Sequence, residues 1–368
     1  MLLKNRLEGI GWFTYETLQR ITRQHPEHQF YFIFDRKYDD SFIFSDNITP
    51  IVIAPQARHP VLYYLWFEHS IPRVLKKIQP DLFFSPDGYL SLSTSFRSMN
   101  VFHDLNFEHY PEDLPRAERW FYRSYFPKYA EKACRIATVS EFSKRDIINQ
   151  YKIPADKIDV VYNGANESYG AVDEEVKDQT RRKFTQGKPY FVFVGALHPR
   201  KNIINLFHAF DYFRRNCQCE TKLLLVGKKK WWTPRIKQAY ESMEYREEVI
   251  FCGRLGAEEL RNVMGSAIAL TYVSYFEGFG IPIVEAFQCE TPVITSNVTS
   301  MPEVAGNAAH LVDPFSVKSI GEALIRLHGD QAYREELIAN ARERRKAFSW
   351  QKSADLLWQS MEKALEIR

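Results

Sequence analysis

Residues 274–287 of the chain read SYFEGFGIPIVEAF. The apolar, β-branched run directly before them, residues 267–273, predicts a buried β-strand. The glycines that follow predict a tight turn, and Pro282 suits the first turn of a helix, where its missing N–H group would have no intrahelical partner. We therefore expect Glu277 at the end of a strand and Glu285 about one turn into a helix.

The backbone between the two glutamates is expected to form an anion site. The N–H groups of Phe279, Gly280 and Ile281 would point out of a helix N-terminus, whose partial positive charge favours phosphate. A carboxylate on each side of that pole can accept hydrogen bonds from sugar hydroxyl groups around a diphosphate. The alternative is a plain helix start with one capping acid and one solvated acid.

Length and composition are those of a globular protein with more than one core. The chain has 368 residues, 45% of them hydrophobic and 15% aromatic, which favours two domains. A net charge of +3 gives no reason to expect a nucleic-acid partner. No apolar run reaches the roughly 18 residues that span a bilayer, and the start does not resemble a signal peptide.

The five cysteines form no C-x-x-C pair. Their odd number within strand-like and helix-like segments favours reduced thiols in a cytosol. Cys217 and Cys219 offer two metal ligands, but the sequence shows no second ligand pair beside them, so no metal site is predicted.

Strands alternate with helices along the whole chain, which predicts parallel sheets with ligands at the carboxyl ends of the strands. A polar, turn-rich linker at residues 163–187 separates two such series. The strand-like segments are residues 29–34, 49–53, 81–85, 98–102, 136–139, 158–161, 190–194, 222–226, 249–252, 267–273, 292–295 and 310–312.

The beginning of the chain departs from this pattern. A glycine turn at Gly9 and Gly11 runs into an amphipathic helix, residues 12–23, as it would after the first strand of a nucleotide-binding βαβ unit. Only eight residues precede Gly9, and their composition makes a poor strand. Either this strand is missing, reduced or very short, or the start codon has been placed too late.

A second turn carries two cations. In VGALHPRKN, residues 194–202, Gly195 lets the backbone turn after a strand, and Asn202 can cap the next helix. Arg200 and Lys201 put two positive charges beside the helix start, which suits a diphosphate. The alternative is a solvated basic turn.

The stretch from Glu277 resembles the E-x7-E motif of retaining GT-B glycosyltransferases, family 4 in particular. The resemblance implies two Rossmann-like domains that face each other across a cleft. An acceptor-binding domain would span residues 1–165, a nucleotide-sugar domain residues 166–348, and a C-terminal helix, residues 349–368, would cross back onto the first domain. Glu285 would bind the ribose hydroxyls and Glu277 the hydroxyls of the transferred sugar.

The resemblance also assigns the basic turn to the phosphates. Lys201 falls on the lysine of the family, whereas Ala196 replaces the arginine that follows the glycine, so Arg200 is expected to supply that charge. Gly253 and Arg254 fall where the family holds the nucleobase, with a surface arginine as the alternative for Arg254.

In the first domain, His103 falls on the histidine that lies beside the donor sugar, and the adjacent Asp104 is a weaker candidate. Gly9 and Gly11 resemble the glycine loop that closes over the donor phosphate. The family has no established protein nucleophile, so Glu277 is not assigned as a nucleophile or a general base.

We therefore predict a cytoplasmic, retaining hexosyltransferase that needs no cofactor and no metal, since no Asp-x-Asp cluster is present. The donor would be GDP-mannose first and a UDP-hexose second, and the acceptor a saccharide or lipid-linked saccharide in surface polysaccharide synthesis. The alternatives are a GT-B sugar epimerase or phosphorylase and a non-catalytic sugar-nucleotide-binding GT-B protein.

Two stretches, residues 60–77 and 116–132, mix aromatic and basic side chains. Such a mixture is typical of helices that lie in a membrane interface, and also of packed helices with a solvated face. The second interpretation is preferred, with peripheral contact at the inner face of the membrane as the alternative.

Overall fold

The computed structural model describes residue 7, residues 9–229 and residues 232–367. The chain forms two compact units, Met1–Gly164 with Ser349–Arg368, and Ala165–Phe348. These boundaries lie within one residue of the expected ones. We call them the first and the second unit.

The helices and strands follow one another in the alternating order that the sequence predicts, and each predicted strand is found within two residues of its expected bounds. In chain order, the first unit begins with α1 (Gly9–Gln24), β1 (Phe30–Phe34), β2 (Ile48–Val52), α2 (Pro60–Leu65), α3 (Ile71–Ile78), β3 (Phe83–Ser85), β4 (Ser98–Phe102), α4 (Asn106–His109), α5 (Arg116–Lys132), β5 (Arg135–Thr138), α6 (Glu141–Tyr151) and β6 (Ile158–Val160). The second unit has α7 (Glu174–Thr185), β7 (Tyr190–Val194), α8 (Ile203–Asn216), β8 (Lys222–Val226), α9 (Pro234–Glu241), β9 (Val249–Gly253), α10 (Ala257–Gly265), β10 (Ala269–Tyr272), α11 (Ile281–Gln288), β11 (Val293–Ser296), α12 (Met301–Ala305), β12 (His310–Val312), α13 (Val317–Gly329) and α14 (Gln331–Arg344). The last helix, α15 (Trp350–Glu366), returns to the first unit.

The first unit contains two separate parallel sheets among its described residues. One pairs β1 with β2, and the other has the order β3-β4-β5-β6. The strand expected before the first helix would fall within residues 1–8, and of these the structure describes residue 7 alone, so that prediction lies outside the described residues. Helix α15 packs against α1, and its Ser353 hydroxyl donates a hydrogen bond to the Tyr162 carbonyl group.

The glycine turn predicted at Gly9 and Gly11 is wrong, because both residues lie in the first turn of α1. Glycine destabilises a helix chiefly in its middle, by about 0.5–1 kcal/mol relative to alanine, so it is tolerated in the first turn. The helix is then fixed by burial of Gly11 and Phe13, and the Thr17 hydroxyl donates to the Phe13 carbonyl at 2.6 Å. Tertiary packing therefore makes residues 9–11 the first turn of the helix, although their sequence is typical of a loop turn.

The second unit is a doubly wound domain with one six-stranded parallel sheet. The strand order is β12-β11-β10-β7-β8-β9, so successive strands add on one side of β7 and then, from β10 onward, on the other. Apolar side chains on both faces fill the core; fully buried phenylalanines include Phe191, Phe193, Phe207, Phe210 and Phe213. The order of the strands reverses between β7 and β10, and ligands in such sheets bind outside the carboxyl ends at that point.

Candidate functional site

The two motifs found in the sequence meet at this reversal point. Strands β7 and β10 are neighbours in the sheet, with Phe191 opposite Ala269 and Val192 opposite Leu270. The basic turn follows β7, and the turn of the two glutamates follows β10. Parallel pairing therefore brings both turns to the same edge of the sheet.

A buried carboxylate at this edge binds two cations. Glu277 is 5% exposed, and its two carboxylate oxygens accept hydrogen bonds from Arg200 Nη1 and Lys201 Nζ, both at 2.5 Å. Lys201 is itself buried, donates to the Tyr272 hydroxyl group, and lies 4.7 Å from the centre of the Tyr272 ring. Each charge is thus held by opposite charge or by an aromatic face.

The charges of this cluster decide its protonation. Burial alone would raise the pKa of Glu277, but the charges of Arg200 and Lys201 outweigh burial and lower that pKa to about 2. Burial, with the same two cations, lowers the pKa of His198 to about 4. At neutral pH, Glu277 is therefore ionised and His198 is neutral.

The backbone around the cluster is held by hydrogen bonds from distant residues. Ser300 Oγ donates to the carbonyl groups of Glu277 at 2.9 Å and Phe279 at 3.2 Å. Asn202 Nδ2 donates to the Val273 carbonyl at 3.0 Å. Ser300 is not predicted from the sequence, because its hydroxyl group makes no capping bond to the helix that it precedes and instead bonds to carbonyl groups 23 and 21 positions away.

The expected helix start is present after Glu277. Helix α11 begins at Ile281, and Gly280 precedes it with a φ of +99°. A Cβ atom at Gly280 would lie 3.1 Å from Ile283 Cδ1 and 3.4 Å from Tyr272 Cε1. Glycine is therefore required there for its conformation, and an added Cβ atom would also crowd the Ile283 side chain. The helix N-terminus at Phe279, Gly280 and Ile281 stays a predicted anion site.

Glu285 differs from Glu277 although it belongs to the same motif. It lies in α11, is half-buried, and its carboxylate has no hydrogen bond or ion pair among the described residues. Burial raises its pKa to about 7. A carboxylate of this kind has unused acceptor capacity, which a ligand with paired hydroxyl groups can satisfy.

Three glycines at the ends of β7, β8 and β9 complete the edge. Gly195 N donates to the Val226 carbonyl at 2.9 Å, and Gly227 N donates to the Gly253 carbonyl at 2.7 Å. A Cβ atom on Gly227 would lie 1.8 Å from the Gly195 carbonyl oxygen, so only glycine fits. Arg254, which follows β9, is exposed.

The remaining predicted residues belong to the first unit. His103 follows β4, and its Nε2 lies 2.8 Å from the Pro86 carbonyl oxygen. Since a carbonyl group only accepts, Nε2 carries the proton, and burial lowers the pKa of this histidine, which favours a neutral ring. The Asp104 carboxylate accepts from Asn106 N at 3.0 Å, so Asp104 caps the turn that follows.

The structure therefore brings together most of the predicted residues of the second unit at one sheet edge. These are Gly195, Arg200, Lys201, Gly253, Glu277, Phe279, Gly280, Ile281 and Glu285. The sequence predicts that Arg200 binds a phosphate. In the structure, its guanidinium group pairs with the Glu277 carboxylate, so contact with a phosphate stays a prediction.

Two family models match the chain, one for each half. Residues 175–344 match the family described as "Glycosyl transferases group 1", and residues 7–169 match "Glycosyltransferase Family 4". Among curated proteins, the chain is 26% identical to "O-antigen chain mannosyltransferase B" of Escherichia coli, over 95% of this chain and 94% of the relative. It is 31% identical to "O-antigen chain mannosyltransferase RfbU" of Salmonella typhimurium, over 60% of this chain and 58% of the relative.

Two solved structures share the fold over almost their whole length. A glycosyltransferase from Rickettsia africae superposes with a TM-score of 0.73 at 17% identity, covering 96% of this chain and 95% of that one. HepE from Anabaena, solved with UDP and glucose, gives 0.76 at 15% identity, covering 98% and 97%. Together with the parallel sheets of both units and the motif at the reversal point, these matches show that the chain has the GT-B fold and is a glycosyltransferase of family 4.

Proposed function

We propose that the chain transfers a hexose, mannose first, from a nucleotide diphosphate sugar to a saccharide or lipid-linked acceptor in surface polysaccharide synthesis, with retention of configuration. The observation that carries this proposal is the cluster of Arg200, Lys201 and Glu277 beside the start of α11 at the reversal point of the sheet. The mannosyltransferase names of the relatives support the sugar, and the UDP bound to HepE supports a nucleotide donor.

The charge of the cluster suits a diphosphate. Two cations and one carboxylate with a pKa of about 2 give one net positive charge at neutral pH, next to the N-terminal pole of α11. That field stabilises the negative charge that grows on the departing diphosphate. Glu285 would accept hydrogen bonds from the ribose hydroxyl groups.

In the proposed reaction, the departing phosphate acts as the base that a protein side chain would otherwise supply. The bond between the anomeric carbon and the phosphate oxygen breaks, the acceptor oxygen forms its bond on the same face, and the acceptor proton passes to a phosphate oxygen. Glu277 is a poor base, because its pKa of about 2 leaves it little affinity for a proton. Its role is to hold sugar hydroxyl groups and to fix the two cations.

The donor site is tested by thermal unfolding with a panel of GDP, UDP, GDP-mannose and UDP-glucose. A ligand at 100 times its dissociation constant adds about 2.7 kcal/mol to the free energy of unfolding, which gives a visible shift. We expect one nucleotide class to stabilise the wild type and Glu285→Ala to lose that stabilisation. The control is Glu259→Ala, a surface glutamate that pairs with Lys183.

Transfer is tested separately with the stabilising nucleotide sugar and a set of saccharide acceptors, and NMR of the product gives its anomeric configuration. A retained configuration supports the proposal, and an inverted one contradicts it. Nucleotide binding without transfer to any acceptor and without donor hydrolysis would favour the non-catalytic alternative.

We also propose that the first unit contacts an anionic membrane surface from the cytoplasmic side, where a lipid-linked acceptor would lie. No helix among the described residues is long and apolar enough to span a bilayer. An exposed apolar patch lies on α2 and α5: Val61 is 59% exposed and Trp120 63% exposed, and Tyr64 and Trp120 both contact Tyr125.

Arg116, Arg119 and Arg123 of α5 line an open groove of about 740 Å³ together with Trp120. Lys152, Glu108 and Glu131 also line it, and Glu108 pairs with Arg123 at 3.0 Å, so the cations exceed the acids by two. Cations beside an exposed tryptophan are typical of surfaces that bind anionic lipid headgroups. We expect the full chain to sediment with vesicles that contain phosphatidylglycerol, and Trp120→Ser combined with Arg119→Ser to weaken this. Tyr31→Ser, which alters an exposed aromatic residue on β1, is the control; equal loss in both would contradict the assignment.

A further inference from the structure

The second unit contains a cluster of metal-ligand side chains that is separate from the motif residues. Cys217, Cys219 and His328 each offer one ligand atom, and these atoms lie within 4.8 Å of one another. Cys217 Sγ lies 3.5 Å from His328 Nδ1. We propose that these three residues bind one zinc ion or a similarly thiophilic metal ion.

The fold holds the three ligands in place from two helices. Cys217 directly follows α8, and Cys219 N donates to the Cys217 carbonyl at 2.9 Å, so a tight turn carries both thiols. His328 lies in the last turn of α13, which packs along α8. The Phe213 ring lies 5.4 Å from the His328 ring and restricts its orientation.

The donor set selects the metal. Two thiolates and one imidazole match zinc, which binds sulfur and nitrogen in a tetrahedron, and they disfavour magnesium and calcium, which prefer oxygen. Three protein ligands leave one position for water. Two thiolate charges also balance a divalent ion.

The surroundings add both favourable and unfavourable charge. The carboxyl ends of α8 and α13 meet here, and the partial negative charge of helix C-termini favours a cation. Against this, Arg334 Nη1 binds the carbonyl groups of Leu327 and His328, and Arg214 precedes Cys217 in the last turn of α8. Both arginines are held by other acceptors, since Arg214 Nη1 donates to the Thr221 carbonyl at 3.1 Å and lies 3.8 Å from a Glu248 carboxylate oxygen, while Arg334 is bound to the two carbonyl groups just named.

A metal here would join the ends of two helices rather than take part in transfer. Helix α8 has 14 residues and begins just after Lys201, so its far end is about 21 Å from that residue at 1.5 Å per residue. We therefore expect the metal to raise the melting temperature and to leave the turnover of the nucleotide sugar unchanged.

The test is a titration of the reduced full chain with cobalt(II), a spectroscopic substitute for zinc. We expect one cobalt per chain, with thiolate-to-cobalt absorption in the near ultraviolet, and displacement of cobalt by zinc. Cys217→Ser, Cys219→Ser and His328→Asn should each weaken binding by at least about 100-fold, since loss of an outer partner alone costs about 10–100-fold. Cys134→Ser and Cys252→Ser, which alter cysteines outside the cluster, should bind cobalt as the wild type does.

Stabilisation by the donor nucleotide shows that each variant is folded, and circular dichroism serves the same purpose if no nucleotide binds. The proposal fails if the reduced wild type shows no thiolate-to-cobalt absorption, or if that absorption survives in both cysteine variants of the cluster. A disulfide between Cys217 and Cys219, seen by mass, would block binding until reduction. If the reduced protein still binds no cobalt, the metal site is refuted.

Discussion

Two carboxylates of one short motif have opposite environments. Glu277 is buried against Arg200 and Lys201, and the pKa of its side chain falls to about 2. Glu285, eight positions later, has no described partner, and burial raises its pKa to about 7. Removal from water acts in the same direction on both pKa values, so the difference comes from the two cations.

The difference separates two roles. Glu277 is ionised at any physiological pH and acts as a fixed charge that holds the basic turn against the glutamate turn. Glu285 changes its charge near neutral pH, so its ionisation depends on what binds beside it. Hydroxyl groups that donate to a carboxylate favour its charged form and lower its pKa. A ligand that binds Glu285 in this way will therefore release a proton near neutral pH.

The largest expected effect comes from removing the partner of the two cations. Glu277→Gln leaves Arg200 and Lys201 without their carboxylate, and breaking a buried ion pair in this way costs about 3–5 kcal/mol. We expect urea unfolding to show a loss of that size, with loss of transfer. Glu259→Gln, which removes a surface ion pair with Lys183, should cost less than about 1 kcal/mol. Equal losses in both variants would show that the cluster is no stronger than a surface pair.

The pH dependence of stability tests the same pair. A carboxyl group with a lowered pKa stabilises the fold above its unfolded pKa, and the stabilisation is lost as the pH falls through the folded pKa. For Glu277 that window lies between the usual 4.5 and about 2. The raised pKa of Glu285 acts in the opposite sense, because stability is lost as the pH rises from 4.5 to about 7. In the Glu285→Gln variant, the free energy of unfolding should no longer fall between pH 4.5 and about 7, but it should still fall as the pH drops below 4.5.

Features of this site could be predicted from the sequence where the residues that form them are close together along the chain. The spacing of Glu277 and Glu285 around the glycines is local, so the strand, turn and helix could be predicted. Pairing of Arg200 with Glu277 depends on which strands become neighbours, and the sequence alone does not show that. Ser300 was missed for the same reason, and His328 lies 111 positions from Cys217, which hides the metal cluster.

A substitution at the helix start between the two glutamates should have a smaller effect on stability. Gly280→Ala places a Cβ atom 3.1 Å from Ile283 Cδ1 and forces alanine into a φ of +99°. A left-handed conformation costs a residue with a Cβ atom about 1–2 kcal/mol, so the melting temperature should fall by a few degrees. Gly256 also precedes a helix, but its φ is −68° and nothing lies within 4 Å of an added Cβ atom. Gly256→Ala should therefore cost clearly less than Gly280→Ala, only the preference for glycine over alanine at an N-cap, and an equal fall would refute the special role of Gly280.

Donor binding should depend on pH through Glu285 alone. If the ionised form binds ribose, the association constant of the nucleotide sugar falls about tenfold from pH 8 to pH 6, as expected for one group with a pKa of about 7. The intact nucleotide sugar is the right probe, because its diphosphate has no free terminal phosphate that titrates in this range. Calorimetry in two buffers of different ionisation enthalpy would also show proton release. If Glu285→Gln shows the same pH dependence of the association constant as the wild type, the titrating group is a residue other than Glu285.

The smallest effect concerns the hydrogen bonds that hold Glu277 in position. Ser300→Ala removes a hydroxyl group that donates to the carbonyl groups of Glu277 and Phe279, and a buried hydrogen bond of this kind contributes about 1 kcal/mol. Ser266→Ala is the matched control, since Ser266 is equally buried but donates to the Asn262 carbonyl group of α10, the helix that it directly follows, outside the site. Both variants should lose similar stability, but only Ser300→Ala should lower kcat, because it lets the glutamate turn move relative to the cations. If kcat falls equally in both variants, the loss reflects general stability and Ser300 has no positioning role.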